Sequence, residues 1–395
     1  MIWRRVLVNN KIVWQDGIIL DSNPQKPRKK ESITFEIMHM EKIVACFSTN
    51  GRAEILHERF MPYDLWLDTE DENDIDILMN NVNNFYHWCA SRVLSLDRKY
   101  AKEIMNSIGV AQAVTDRERA DISLSYHCVS LTDVYWVRKK GERISFAELN
   151  LYDNPLNEAI VELSLKGRQM TVTNKELAPD LSTKGCFPKA WIRNEKGFKL
   201  LKDGGEEIVK RELLASKICQ CFDVPQVIYR EHIYDGETVT ESDIITSKEW
   251  SMVSQMAVGI YAYNHDFDII EFCQKRDPKT YYGMNILDYL IGNTDRHPEN
   301  WGFLVDNSTN KIISLYPLMD FNQSFLAYDT LDGGRCQTVG KRQLSQREAA
   351  IEAVKCIGLP QIREIDMSKF GDMKKEAEMF ECRLKELKMY DKENT

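Results

Sequence analysis

Three polar residues, Asp295, Asn300 and Asp320, stand at a spacing that suits phosphoryl transfer. That reaction asks little covalent chemistry of a protein. It needs the reactants held in line, a carboxylate to orient or deprotonate the acceptor hydroxyl, and a divalent cation to neutralise the phosphates. Magnesium favours hard oxygens, usually one or two carboxylates with carbonyl, water and phosphate completing six. Asn300 and Asp320 carry such oxygens. Between them the sequence predicts a strand over 301–305, a turn over 306–310 and a strand over 311–315, a hairpin that would return Asp320 to Asn300. Asp295 precedes Asn300 by five positions, the spacing of a catalytic base ahead of a metal-binding Asn. Asp-x4-Asn alone is common and also describes an Asp that caps a turn ahead of a strand. An apolar helix before it (Ile286, Leu287, Leu290, Ile291) and Leu318-Met319-Asp320 after it make the full string rarer. Arg296 and His297 lie inside the loop. They either hold its backbone or contact phosphate, and His297 is counted with the catalytic set.

A nucleotide site also needs a cation for the phosphates and an acid to fix that cation. Lys202, after Leu200-Leu201 at the end of a predicted strand, fits the first role, with Lys199 as rival. Glu212, beside Leu213-Leu214 on the next helix, fits the second, with Glu206 and Glu207 as rivals. Upstream, Ser182-Thr183-Lys184-Gly185-Cys186-Phe187-Pro188-Lys189 reads as a polar turn before a strand. Its glycine would let backbone N–H groups approach phosphate.

The string Gly292-Asn293-Thr294-Asp295-Arg296-His297-Pro298-Glu299-Asn300 resembles the catalytic loop of the HipA-like serine/threonine kinases. Leu315-Tyr316-Pro317-Leu318-Met319-Asp320 is similar to their metal-binding segment. Ser182, Gly185 and Lys189 match their phosphate loop, which has one glycine where ordinary protein kinases have three. The Asp-Arg-His order also resembles the phosphatidylinositol kinases. The specific motifs cover about 180 to 360. The resemblance implies an α+β, two-lobed protein-kinase-like fold, with a small antiparallel β lobe, a large helical lobe and an additional N-terminal α+β domain. It implies ATP and Mg2+ as cofactors, a protein substrate, an antitoxin-like protein partner, and Ser182 as the match to an autophosphorylated serine. A small-molecule or lipid kinase and a non-catalytic nucleotide-binding module are the alternatives.

Elements that would position these residues follow from hydrophobic period and turn signals. Residues 33–37, 42–47 and 53–56 read as strands, and 71–109 as a helix with the stripe Ile75, Leu78, Val82, Phe85, Cys89 and Val93. Thr115 to Glu118 reads as a capping box, 134–137 as a strand, and 157–165 as a short helix. Strands over 191–192 and 198–202, a helix over 206–222, and strands over 226–234 and 237–245 about Asp235-Gly236 come next. Helices are expected over 250–263, 282–291 and 368–388, and after the Ser345 capping box. The segment 321–344 reads as an exposed, activation-like loop carrying Ser324, Thr330 and Thr338. The expected division is 1–125 as a front domain of unknown role, 126–246 as the small lobe and 247–395 as the large lobe.

Composition sets outer bounds. The chain has 395 residues, 43% hydrophobic and 29% charged, long enough for more than one core. A net charge of −9 argues against direct nucleic-acid binding. The basic run Lys26 to Lys30 reads as a solvated loop. Ten cysteines at irregular spacings give no zinc pattern and read as free thiols of a reducing cytoplasm. No membrane-length apolar run appears, so the expectation is a soluble cytoplasmic protein.

Overall fold

The computed structural model describes residues 4–8, 11–15, 32–93, 115–154, 187–194, 197–326 and 328–392. The predicted helix over 157–165 and the end of the helix expected to reach 109 lie outside them, as do Ser182 and Gly185. Contacts divide the chain into two compact units, 1–33 and 34–395. In the first, strands β1 (Arg4–Val8) and β2 (Lys11–Gln15) pair antiparallel.

The second unit opens with strands β3 (Thr34–His39), β4 (Lys42–Ser48) and β5 (Ala53–Ile55), helices α1 (Ile75–Ala90) and α2 (Asp116–Ser125), strand β6 (Tyr135–Lys139) and the single turn α3 (Phe146–Leu149). The strands form an antiparallel sheet in the order β5-β4-β3-β6. This front sheet therefore takes in a strand beyond residue 125. Asp74 caps α1 by accepting from the N–H groups of Asp76 and Ile77, and Thr115 and Glu118 form the expected capping box on α2. Phe85 and Cys89 of α1 are buried, and the Phe85 ring stacks on Phe47 with centroids 4.1 Å apart. Ile75, expected on the same stripe, is 70% exposed. It is the first residue of the helix, one turn outside the part that meets the sheet.

A second antiparallel sheet follows. Its elements are β7 (Lys189–Asn194), β8 (Gly197–Lys202), helix α4 (Glu206–Cys219), β9 (Tyr229–Tyr234) and β10 (Glu237–Asp243), with strand order β7-β8-β10-β9. Asp235 (φ 51°) and Gly236 (φ 79°) both take the left-handed conformation that a tight type I′ turn requires.

The remainder comprises β11 (Trp250–Ser254), α5 (Gln255–Asn264), α6 (Ile269–Arg276), α7 (Pro278–Ile291), β12 (Gly302–Asp306), β13 (Lys311–Leu315), α8 (Gln346–Ile357) and α9 (Lys374–Lys392). The helix expected over 250–263 is in fact a strand followed by a helix. Residues 250–254 pair with β12, and the Ser254 hydroxyl accepts from Ala257 N–H to start α5. Gly302 permits that pairing, since a Cβ there would meet the Val253 carbonyl oxygen at 2.1 Å. Helix α6 was not foreseen, and α7 starts at Pro278 rather than 282, because Asp277 caps it and proline suits the first helical position. Ile286, Leu287 and Leu290 of α7 are fully buried in one core with Ala353 of α8 and Phe380 of α9. Each such side chain stabilises the fold by roughly 1.5–3 kcal/mol relative to exposure. The described cysteines are free thiols, most of them buried. Among the described residues no helix is long and apolar enough to cross a membrane.

Candidate functional site

Lys202 ends β8, and its register partner on β10 is Thr240. Its ammonium lies 3.0 Å from Glu212 Oε1 on α4 and also pairs with the Asp320 carboxylate. Glu212 Oε2 in turn accepts from Thr240 Oγ1 at 2.9 Å. All three partners on the sheet and helix are buried, with Glu212 1% exposed. An isolated buried charge would be prohibitive, so this cluster holds only because each charge is paired and hydrogen-bonded. Burial alone would lower the Lys202 ammonium, but Asp320 and Glu212 outweigh it and raise it. The rivals are placed elsewhere. Lys199 pairs with Asp243, and Glu206 and Glu207 are exposed.

Asp320 follows β13 and sits at φ 59°, a left-handed conformation uncommon outside glycine. Two hydrogen bonds hold its backbone. Its N–H donates to Tyr229 Oη at 3.0 Å, and its carbonyl accepts from Asn293 Nδ2 at 3.4 Å. Burial would raise its carboxyl, yet Lys202, Lys189 and Arg296 prevail and bring it down to about 2. Lys189 faces Lys202 across the β7–β8 pair, so both cations lie on the side of the sheet that Asp320 approaches.

The loop between α7 and β12 carries the other candidates. Gly292 ends α7 in the left-handed conformation (φ 60°), and a Cβ there would strike the Tyr328 ring at 2.3 Å. Asn293 Oδ1 accepts from Asp295 N–H at 3.2 Å. The Asn300 amide nitrogen donates to the Asp295 carbonyl at 2.8 Å and lies 3.3 Å from its carboxylate. The structure thus brings Asp295 and Asn300 together and turns the Asn300 amide nitrogen inward. Burial raises the Asp295 carboxyl, with Asp320 adding to the rise and His297 opposing it. His297 Nε2 is 3.9 Å from Asp295 Oδ1, and its Nδ1 accepts from Glu299 N–H at 3.2 Å.

Arg296 ties these pieces into one body. It is 2% exposed and binds Asp288 of α7 with two nitrogens, at 2.8 and 2.9 Å. Its remaining nitrogen donates to the Asn300 carbonyl at 2.8 Å and to the Met319 carbonyl. One guanidinium therefore joins the loop to the residue before Asp320. Asp288, Tyr229 and Thr240 were missed in the sequence, and Asn293 was quoted in the loop string without a role. Of the missed three, Asp288 left a trace there, as a lone carboxylate inside an apolar helical run that must be buried.

Asn300 and Asp320 are suited to a hard cation: an amide carbonyl oxygen and a carboxylate held ionised by its surroundings. Ser182 and Gly185 lie outside the described residues, and of that loop only Phe187, Pro188 and Lys189 are described. In the 321–344 segment, Ser324 and Thr338 are buried rather than exposed, and the Thr338 hydroxyl bonds Asn285 Oδ1. Thr330 alone of the three is exposed.

No protein-family model matches the chain, and no curated protein matches it. Among solved structures, the toxin–antitoxin complex of HipA, HipB and operator DNA from Shewanella oneidensis MR-1 aligns over 90% of this chain and 91% of its own, at TM-score 0.50 and 10% identity. The proinflammatory kinase CtkA of Helicobacter pylori aligns over 51% of this chain and 90% of its own, at TM-score 0.38 and 15% identity. The first likeness shows the fold. It is a mixed, kinase-like fold of antiparallel sheets and helices.

Proposed function

We propose that this chain is an ATP- and Mg2+-dependent serine/threonine protein kinase of HipA type. The observation that carries it is the single Lys202 ammonium shared by Glu212 and Asp320, from two elements more than a hundred positions apart. Glu212 fixes Lys202, and Lys202 with Lys189 binds the nucleotide phosphates. Asn300 and Asp320 would hold the cation through their oxygens. A divalent cation held there would supply charge neutralisation for the transferred phosphate. Asp295 orients the acceptor hydroxyl and takes its proton, a role its raised carboxyl pKa favours. Arg296, Asn293 and Tyr229 hold these groups in place without touching the nucleotide. Ser182 is the site of autophosphorylation.

The kinase-like fold and its likeness to a HipA chain solved with HipB and operator DNA support a further part of the reading. An antitoxin-like protein binds this chain in the cytoplasm, and the front sheet of residues 34–55 and 135–139 is available to a partner. The kinase small lobe is built on the sheet of Lys189–Asp243, and the large lobe spans 247–395.

The test is transfer of labelled phosphate from ATP to protein with and without Mg2+, for the wild type, Asp295→Ala and Asp320→Ala. Both variants should lose transfer, and mass spectrometry should find phosphate on Ser182. Full transfer by both variants would overturn the assignment.

A further inference from the structure

Resting on the phosphotransfer reading above, we infer that Arg335 selects acceptor proteins carrying an acidic side chain close to the phosphorylated serine or threonine. Residues 333–338 lie along the catalytic loop. Gly334 N–H donates to Gln346 Oε1 at 3.0 Å, the Gly334 carbonyl accepts from Gln346 N–H at 2.8 Å, and Gln346 Nε2 donates to the Asn293 carbonyl at 2.6 Å. A Cβ on Gly334 would come within 3.2 Å of the Thr294 methyl. Buried Gln346 thus staples this segment to the residues just before Asp295.

The segment alternates. Cys336 and Thr338 are buried, whereas Arg335 and Gln337 are exposed on the opposite face. Gln337 Nε2 donates to the Thr294 carbonyl at 2.5 Å, so that outer face runs beside Asp295. Arg335 lines a cavity of about 10 Å³ with Asn293, Thr294 and Arg296 at the foot of the loop. This outer face, with Arg335 on it, is where an acceptor chain presenting its hydroxyl to Asp295 would lie.

Among the described residues its neighbours are spent on internal pairs, and Arg335 is not. Arg342 pairs with Glu352, and Arg347 pairs with Glu386 and Asp332. Among the described residues no carboxylate lies within ion-pairing distance of Arg335, which leaves its planar fork of donors for a carboxylate arriving from outside. The chain carries a net charge of −9. Against that background an acidic acceptor needs a local cation to be accepted.

The test uses the full chain with Mg2+-ATP and an array of serine and threonine peptides bearing Glu, Gln or Lys at each flanking position. The wild type should phosphorylate peptides with Glu at one or two positions about tenfold faster than those with Gln, the size of one charge-assisted hydrogen bond. Arg335→Ala should abolish the preference and leave KM for ATP unchanged. Arg335→Glu should shift it to Lys at the same positions, and Lys341→Ala, an exposed charge six residues on, should leave it intact. Transfer without a charge preference, or a preference that survives Arg335→Glu, overturns the inference alone. Hydrolysis of ATP with no peptide phosphorylated also overturns it. Absence of both hydrolysis and transfer overturns the kinase assignment, and the inference with it.

Discussion

The two four-stranded antiparallel sheets of the second unit spend their buried polar groups differently. Beside the front sheet, Arg92 binds Asp133 with two hydrogen bonds at 2.7 and 2.9 Å, and within it Arg138 binds Glu36 at 2.6 Å. Each charge meets one opposite charge, and large apolar clusters lie on both faces of the strands. In the second sheet the apolar cluster is small, built around Ala190, Leu201 and Val239. Beside it one ammonium answers to two carboxylates. The first sheet is closed on itself. The second shares one buried cation between two carboxylates that come from different elements. Folds commonly concentrate such locally unfavourable arrangements where they work.

Substitutions should separate the two. Lys202→Met is expected to reduce phosphate transfer by about a hundred- to a thousandfold, as does loss of a preorganised charge contact, measured by steady-state transfer assays. Phe47→Ala in the front sheet should instead cost roughly 3–5 kcal/mol of stability, as for a fully buried aromatic. Denaturant unfolding would show this, with transfer per folded molecule unchanged.

Acid should loosen the front sheet before it reaches the candidate site. Burial brings the His39 imidazole from 6.5 down to about 4, and its buried Nε2 finds no hydrogen-bond partner among the described residues. A depressed folded pKa means the stabilisation is present above pH 6.5 and is lost as pH falls towards 4, about 3 kcal/mol in all. Asp320, brought from 3.8 down to about 2, keeps its contribution until pH drops below 3.8. Hydrogen exchange at pH 7 and pH 5 should show 34–48 opening first, and His39→Phe should remove the difference. Equal opening of 199–202 would erase the contrast. Smallest of all, Tyr229→Phe should lower kcat about tenfold by freeing Asp320 N–H, a loss of one buried hydrogen bond, with KM for ATP nearly unchanged.

Much of this arrangement was legible because it is local. The paired strands around Asn194 and Gly197, the Asp235-Gly236 turn and the hairpin from Gly302 to Leu315 each announce themselves within a few residues. Lys202 and Glu212 were named from strand-end and helix-face patterns, and they meet at 3.0 Å. Contacts made across the chain left little mark. Tyr229 reaches Asp320 over ninety positions, and nothing beside it in sequence signals a role. The strand Trp250–Ser254 was read as helix because its partner, Gly302–Asp306, lies some fifty residues away and only pairing distinguishes the two. The exposed look of Ser324 and Thr338 misled for a similar reason. Their burial depends on elements such as α7, whose Asn285 meets the Thr338 hydroxyl.

A single nitrogen of Arg296 serves the carbonyls of both Asn300 and Met319. The two halves of the proposed cation site therefore share one anchor, and neither can drift without pulling on the other. Arg296→Lys would keep the charge and lose the coupling, because one ammonium cannot span Asp288 and both carbonyls as a planar guanidinium does. In the intact chain, NMR signals of Asn300 and Asp320 should shift in concert when either is perturbed. With lysine at position 296 they should shift independently.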